Sequence, residues 1–346
     1  MATTTSQVET VHITTNGTAL AKTALKVVLG AMVLGKEGAE IARVHDLKDC
    51  AALLDVLQKH GHNEVDTARV YGSSEELLGQ LKLQERGIVI DTKVKSIPRG
   101  PMYSHKKDGL KRALLDSLKA LQTDKIDLWY LHAPDRSTLY EETLEAVDDL
   151  YKEGYFKRFG LSNYAAWEVA QICELCERNG WKKPDVYQGG YHALQRTVEP
   201  ELFPCLRNYG IAFYQYSPIA GGMLTDKYHR NTIEHEEGSR FDPKKMQGKA
   251  FRGRYWNDAH FDALDVIRPV AKKLGMTTAE AAVRWASHHS LMKREYGDAV
   301  IIGASSTVQL EENLANLEKG PLPEEMAKAF DEGWEIVKGV CGSYFA

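Results

Sequence analysis

Eight short apolar runs, most of them followed by a longer amphipathic segment, dominate the sequence from Leu25 onward. The runs are LKVVLGAM (25–32), EVDTA (64–68), GIVIDTKV (87–94), IDLWYLHAP (126–134), FKRFGLSN (156–163), DVYQGGY (185–191), IAFYQYSP (211–218) and DAVIIGAS (298–305). Between them, segments such as DLKDCAALLDVLQKH, SHKKDGLKRALLDSLKALQ and EETLEAVDDLYKEG carry apolar residues at helical spacing. Strands that alternate with crossover helices build parallel sheets. Eight such units favour an α/β chain closed into a (β/α)8 TIM barrel over an open doubly wound sheet.

Local signals punctuate this pattern. Ser74 stands before Glu75 and Glu76 as a helix cap, and Gly61, Gly154 and Gly210 follow helical runs as terminating glycines do. A long polar insertion from Thr225 to about His260 follows the seventh run and reads as a lid or binding loop. After the eighth run, PLPEEMAKAFDEGWEIVKG predicts one more helix and VCGSYFA a short arm. The expected organisation is an N-terminal extension over 1–24 and a single barrel domain over 25–346.

The 346 residues are 43% hydrophobic and 27% charged with a formal charge of -4, the make-up of an ordinary globular protein. Lys and Arg are scattered among acids, which gives nucleic-acid binding no electrostatic footing. No apolar run nears the roughly 18 residues that span a bilayer. The opening MATTTSQVETVHITTNGTAL shows no signal or transit pattern, so the expected compartment is the cytoplasm. Five cysteines make no disulfide framework, and Cys173 and Cys176, though spaced CxxC, fall in a helical pattern with no second Cys or His pair. They read as packing residues, and no metal is expected.

In such barrels the reacting groups stand at the C-terminal ends of strands. There the sequence places Asp66, Lys93 and His132 at the ends of runs two, three and four, with Tyr71 in the loop after run two. Singly, each has a structural reading: a cap, a surface lysine, a half-buried tyrosine, a satisfied core histidine. Together they suit carbonyl reduction, in which hydride reaches carbon while a proton must reach the developing alkoxide. A phenol with an ordinary pKa of about 10 needs a neighbouring cation to act as acid, and Lys93 supplies one if Asp66 holds it charged. His132 is then the hydrogen-bond donor that orients the carbonyl oxygen.

The segments VDTARVYG, TKVKS, LWYLHAP, FGLSNY and VYQGGY, in that order, resemble the aldo-keto reductase superfamily over nearly the whole chain from Leu25. NYAAWEVAQICELCERNGW, PIAGGMLTDKY and IIGASSTVQLEENLANLEKGPL are similar to its aflatoxin-aldehyde reductase branch, which includes succinic-semialdehyde reductases. The resemblance implies NADPH as cofactor, held without a Rossmann fingerprint, and Asp66, Tyr71, Lys93 and His132 as the catalytic set. It implies Ser162, Asn163 and Gln188 at the nicotinamide carboxamide and Tyr216 against the ring, although a buried strand aromatic explains Tyr216 as well. Ser217, Pro218, Ile219, Ala220, Gly221, Gly222 and Leu224, with Lys227 and Arg240, correspond to the pyrophosphate loop; turn formation also accounts for the glycine pair. Ala304, Ser305, Ser306, Gln309, Glu312 and Asn313 correspond to the adenosine and 2′-phosphate site.

Three departures from the branch stand out. The loop VYGSSEE is short, and His192 stands where relatives often carry Asn. The chain also lacks the terminal basic residue with which semialdehyde reductases reach a substrate carboxylate, which leaves Arg254 as the candidate for that contact or as an exposed loop arginine. Met32, on the cofactor side, together with Tyr103, Tyr255 and Trp256 is expected at the mouth, favouring apolar or aromatic carbonyls. The partner is thus a small-molecule carbonyl, and the branch includes homodimers. Two rival readings are a nicotinamide-bound regulatory subunit of a membrane channel, which shares this barrel, and an isomerase of phosphate esters or sugars, which needs no dinucleotide.

Overall fold

The computed structural model describes residues 22–39, 41–96, 103–233 and 236–346. Residues 1–21 of the expected N-terminal extension lie outside these, as do residues 234–235 of the insertion. A strand forms within each of the eight runs: β1 Lys26–Gly30, β2 Glu64–Asp66, β3 Val89–Val94, β4 Ile126–Leu131, β5 Phe156–Ser162, β6 Val186–Gly190, β7 Ala212–Tyr216 and β8 Ala299–Ile302. Neighbours in sequence pair in parallel, and β1 also pairs with β8, so the sheet closes into the expected (β/α)8 barrel. The strands are buried on both faces, as a helix-covered barrel requires, which is why their runs read as nearly continuous apolar stretches.

Eleven helices are present among the described residues: α1 Leu47–Lys59, α2 Ser74–Gln80, α3 Lys107–Leu121, α4 Tyr140–Lys152, α5 Ala166–Asn179, α6 Leu202–Tyr209, α7 Met246–Tyr255, α8 Asp258–Lys273, α9 Thr278–His288, α10 Thr307–Leu317 and α11 Glu324–Val337. Gly61, Gly154 and Gly210 all take positive φ just past a helix, as expected. Ser74 does not cap α2. It is the first helical residue, and its buried hydroxyl instead donates to the Ala31 carbonyl at 2.8 Å, pinning the helix to the chain after β1. Cys173 and Cys176 are free and buried on α5, where burial pushes both thiols up to about 12. No described helix is long and apolar enough to cross a membrane.

Two apolar layers hold the molecule. The larger lies between strands and helices; the smaller fills the lumen with Val28, Leu128, Tyr130, Val186, Tyr214, Ala299 and Ile301. Gly160 is required by this packing, since a Cβ there would lie 2.2 Å from the Tyr130 ring. The insertion after β7 is not wholly a loop: α7 forms inside it, α8 begins before its expected end, and Tyr228, Phe241, Phe251, Trp256 and Phe261 pack into one aromatic cluster. After α11, which packs on α8, the chain returns to the rim, where the Ala346 N–H donates to the Asn163 carbonyl at 3.0 Å.

Candidate active site

Strand register brings the four expected polar residues to one end of the barrel. Asp66 lies opposite Gly30 and Asp91, and Lys93 opposite Tyr130. Lys93, fully buried, donates from Nζ to Asp66 Oδ2 at 2.6 Å and to the Thr67 carbonyl at 2.7 Å. From the far side of the lumen, Gln188 Nε2 donates to Asp66 Oδ1 at 2.8 Å. Tyr71 sits in a tight turn, its N–H bonded to the Ala68 carbonyl and its carbonyl accepting from the Ser74 N–H that opens α2. The turn lays its ring so that Lys93 Nζ is 4.9 Å from the ring centroid, and the His132 ring meets it edge-on at 5.7 Å.

Burial by itself would discharge Lys93, but the Asp66 carboxylate outweighs it and holds the ammonium above its ordinary value. Burial also raises Asp66, with the Lys93 ammonium and the Gln188 amide acting against that rise. The Tyr71 phenol departs from the sequence expectation. Its pKa lies above the ordinary value, because burial raises it by more than Lys93 lowers it. A neighbouring cation can be read from sequence, whereas the depth of burial cannot; the phenol is accordingly protonated at neutral pH. His132 is pushed far down by burial and by the Lys93 and Lys95 charges, so its imidazole is neutral, and its buried Nδ1 has no partner among the described residues.

Around this centre the rim is tied by one side chain. Asn163 donates from Nδ2 to the His132 carbonyl at 2.8 Å and to Ser162 Oγ at 2.9 Å, and its Oδ1 accepts from the Tyr216 hydroxyl at 2.9 Å. The Asn163 amide is therefore engaged within the protein. Gln188 uses one Nε2 hydrogen on Asp66, which leaves its second amide hydrogen and its carbonyl oxygen for a ligand. The Tyr216 ring lies across the end of β6, where a Cβ on Gly190 would approach it to 3.1 Å.

Backbone strain concentrates at the same rim. Asn163, Ser217 and Ala220 have positive φ, and Gly221 and Gly222 follow at +67° and +108°. A side chain at Gly221 would also meet the Phe251 ring at 2.2 Å, so α7 lies close over this loop. The N–H groups of Ala220, Gly222 and Leu224 bond back to Ser217 and Ile219. Arg240 pairs with no carboxylate among the described residues: its Nη1 and Nη2 reach the Met32 sulfur, each at 3.8 Å, and its guanidinium lies 5.3 Å from the Phe251 ring centre. At the head of α10, Ser306 Oγ accepts from the Gln309 N–H at 3.2 Å, and Gln309 Oε1 accepts from the Ser305 N–H and Oγ, each at 3.0 Å. Glu312 and Asn313 follow on α10, and Ala304 is buried beneath it.

Several expected mouth residues lie elsewhere. Tyr103 donates its hydroxyl to Asp116 on α3 at 2.8 Å, which turns it into the helix layer. Trp256 packs against Tyr228, Phe241 and Phe261, with the Arg252 guanidinium 4.0 Å from its ring centre, so it is core to the insertion. Tyr255 is buried with its hydroxyl 3.0 Å from His192 Nε2. His192 Nδ1 accepts the Leu194 N–H, which puts the ring proton on Nε2, so both ring nitrogens are engaged within the protein. Arg254 is exposed beside Tyr255. Lys227 forms an ion pair with Glu236, which also pairs with Arg43 after β1, strapping the insertion across the rim. The sequence reading missed Phe251 and the Asp66 contact of Gln188; neither carries a motif, and only the closed barrel brings them in.

Known proteins give the arrangement a context. Residues 26–335 match the family model described as the aldo/keto reductase family. An aldo-keto reductase of Pseudocercospora fijiensis is 63% identical over 297 residues, covering 85% of this chain and all of that protein. The aldo-keto reductase pigE of Monascus ruber is 49% identical over 94% of this chain and 98% of its own. Human aflatoxin B1 aldehyde reductase member 2 is 44% identical over 91% of this chain and 89% of its own. With the barrel, the full-length likeness and the matched family model in agreement, the chain belongs to the aldo/keto reductase family.

Proposed function

We propose that the protein reduces aldehydes or ketones to alcohols, using hydride from NADPH and a proton from Tyr71. The observation that carries the reading is the buried ammonium of Lys93, paired with Asp66 at 2.6 Å and set 4.9 Å from the Tyr71 ring. As the phenol gives up its proton, the fixed cation stabilises the phenolate that forms. Neutral His132 offers a hydrogen bond to the carbonyl oxygen without competing for that proton. The relatives are named as reductases, one of them for an aldehyde, which favours an enzyme over a channel subunit or an isomerase.

The residues present fit a dinucleotide. Arg240, a half-buried guanidinium with no carboxylate paired to it among the described residues, would suit an anion such as a pyrophosphate or 2′-phosphate. Ser217 to Leu224 and the head of α10 frame the same stretch of rim. Ser162 and the Gln188 amide would hold a carboxamide, and the Tyr216 ring would offer the nicotinamide a flat wall. When bound, NADPH supplies the hydride. Arg254, with no carboxylate paired to it among the described residues, is the candidate contact for an anionic substrate tail. Replacing Tyr71 with Phe should lower carbonyl turnover at least ~100-fold while NADPH still quenches tryptophan fluorescence. Unchanged turnover would reject the acid assignment.

A further inference from the structure

Below the rim, the lumen holds a second set of ionisable groups that the reaction does not use. Glu64 is 2% exposed and is fully answered: its Oε2 pairs with Lys26, and its Oε1 accepts from Arg158 Nη2 at 3.2 Å and from the Tyr214 hydroxyl at 3.0 Å. Asp91, on the adjacent strand, is fully buried, and neither of its oxygens has a donor among the described residues. Arg158 comes no nearer to it than 3.8 Å, its guanidinium being occupied by Glu64, Tyr214 and Asp127. The Glu64 carboxyl, itself an acceptor, lies beside Asp91 on the same Arg158 Nη2, at 3.2 Å against 3.8 Å. Two buried carboxyl groups set around one shared cation favour holding a proton between them.

Charge balance points the same way. Lys26, Arg158 and Lys93 bring three cations to the lumen, and Glu64, Asp127 and Asp66 face them, Asp127 also meeting the exposed Lys157 at 3.6 Å. An ionised Asp91 would have within the lumen only Arg158 to answer it among the described residues, at 3.8 Å and already shared with Glu64 and Asp127. Tyr130 from β4 contributes a buried hydroxyl without a partner among the described residues. The inward residues of β6 and β8, Val186, Gln188, Ala299 and Ile301, carry no charge that could compensate. Burial and the Glu64 carboxylate both push the Asp91 carboxyl far up.

We propose that Asp91 is a neutral carboxylic acid at physiological pH, donating its proton to the Glu64 carboxylate, and that it is a positioning residue. Uncharged, it leaves Asp66 as the counter-anion of Lys93, so that the ammonium acts at full strength on the Tyr71 phenol. The second half of this statement rests on Tyr71 being the acid; the first half does not.

Infrared spectra of the full-length protein, with aspartate carboxyls carrying a carbon-13 label, test the first half. At pH 7 a protonated-carboxyl stretch is expected, absent from Asp91→Asn and lost in Glu64→Gln, where Asp91 ionises toward Lys26 and Arg158. An unaltered protein without that band, or a band that survives Asp91→Asn, overturns the proposal. Turnover tests the second half. Glu64→Gln moves an anion next to Lys93 and should lower kcat about 3- to 10-fold at unchanged KM, the effect of roughly half to one unit in the acid. Adding Asp91→Asn should restore most of it, and failure to restore refutes the link to Tyr71. Should a variant fail to fold, the labelled spectrum of the unaltered protein still decides the protonation state. Loss of the Tyr71 assignment would leave the band in place, so the two failures are distinguishable.

Discussion

Replacing Asp66 with Asn keeps the side-chain shape and leaves an oxygen for the Gln188 amide, but it removes the carboxylate from a fully buried ammonium. Breaking a buried pair from one side costs about 3–5 kcal/mol. Lys93 sets its own ceiling, because it can escape the penalty by losing its proton. Discharging it at pH 7 from an unfolded value of about 10.4 costs about 4.6 kcal/mol, and at pH 9 the same step costs about 1.9 kcal/mol. In the variant the folded-state value drops below the unfolded one. Between the two, the unfolded chain binds more protons, so stability rises with pH. In the unaltered protein Lys93 is held above its ordinary value, and its contribution is present in full at both pH values. Urea unfolding of both proteins should therefore give a loss of about 3 to 4.6 kcal/mol at pH 7 that shrinks to about 2 kcal/mol or less at pH 9. An equal loss at both pH values, or one below about 1 kcal/mol at pH 7, would refute the dependence of the Lys93 charge on Asp66.

Other perturbations follow from the same geometry. Gly160→Ala drives a methyl to 2.2 Å from the buried Tyr130 ring and should cost about 1–3 kcal/mol, seen as a lower thermal midpoint. Arg240→Met removes a guanidinium that pairs with no acid among the described residues, so it should leave thermal stability intact while weakening NADPH binding about 10- to 100-fold by fluorescence titration. His62, His105 and His260 are held down to about 4 by burial, and His132 and His192 well below their ordinary value. Their folded values lie below the unfolded one, so stability falls as pH drops through the interval between them. Each contributes about 1.4 kcal/mol per pH unit below about 6.5, and differential scanning calorimetry from pH 7 to pH 5 should show a steep fall in the midpoint.

The barrel was legible because a strand covered on both faces needs an unbroken apolar run, and each of the eight runs holds one. Asp66, Tyr71, Lys93 and His132 were legible because the rule that strand C-termini carry the site turns positions in a list into neighbours. What the sequence concealed depends on tertiary partners. In MQGKAFRGRY two glycines mask a helix; Gly248 is there because a Cβ would lie 1.8 Å from the Asp242 carbonyl, a contact no local pattern reveals. Tyr103 and Trp256 look like mouth aromatics until Asp116 and Arg252 claim them. Glu64 and Asp91 hide inside apolar runs, where a lone acid is read as a strand end and not as half of a pair.

The single amide of Asn163 links the ends of β4, β5 and β7, and its own backbone holds the returning C-terminal arm. A rim knotted at one point cannot flex piecemeal, so His132 and Tyr216 keep a fixed spacing whatever enters between them. The insertion, anchored by its aromatic cluster, is strapped to the chain after β1 by the surface charges of Arg43, Glu236 and Lys227. Dissolved salt weakens such exposed pairs and leaves the amide knot untouched. Rising ionic strength should therefore loosen the insertion before it disturbs the rim.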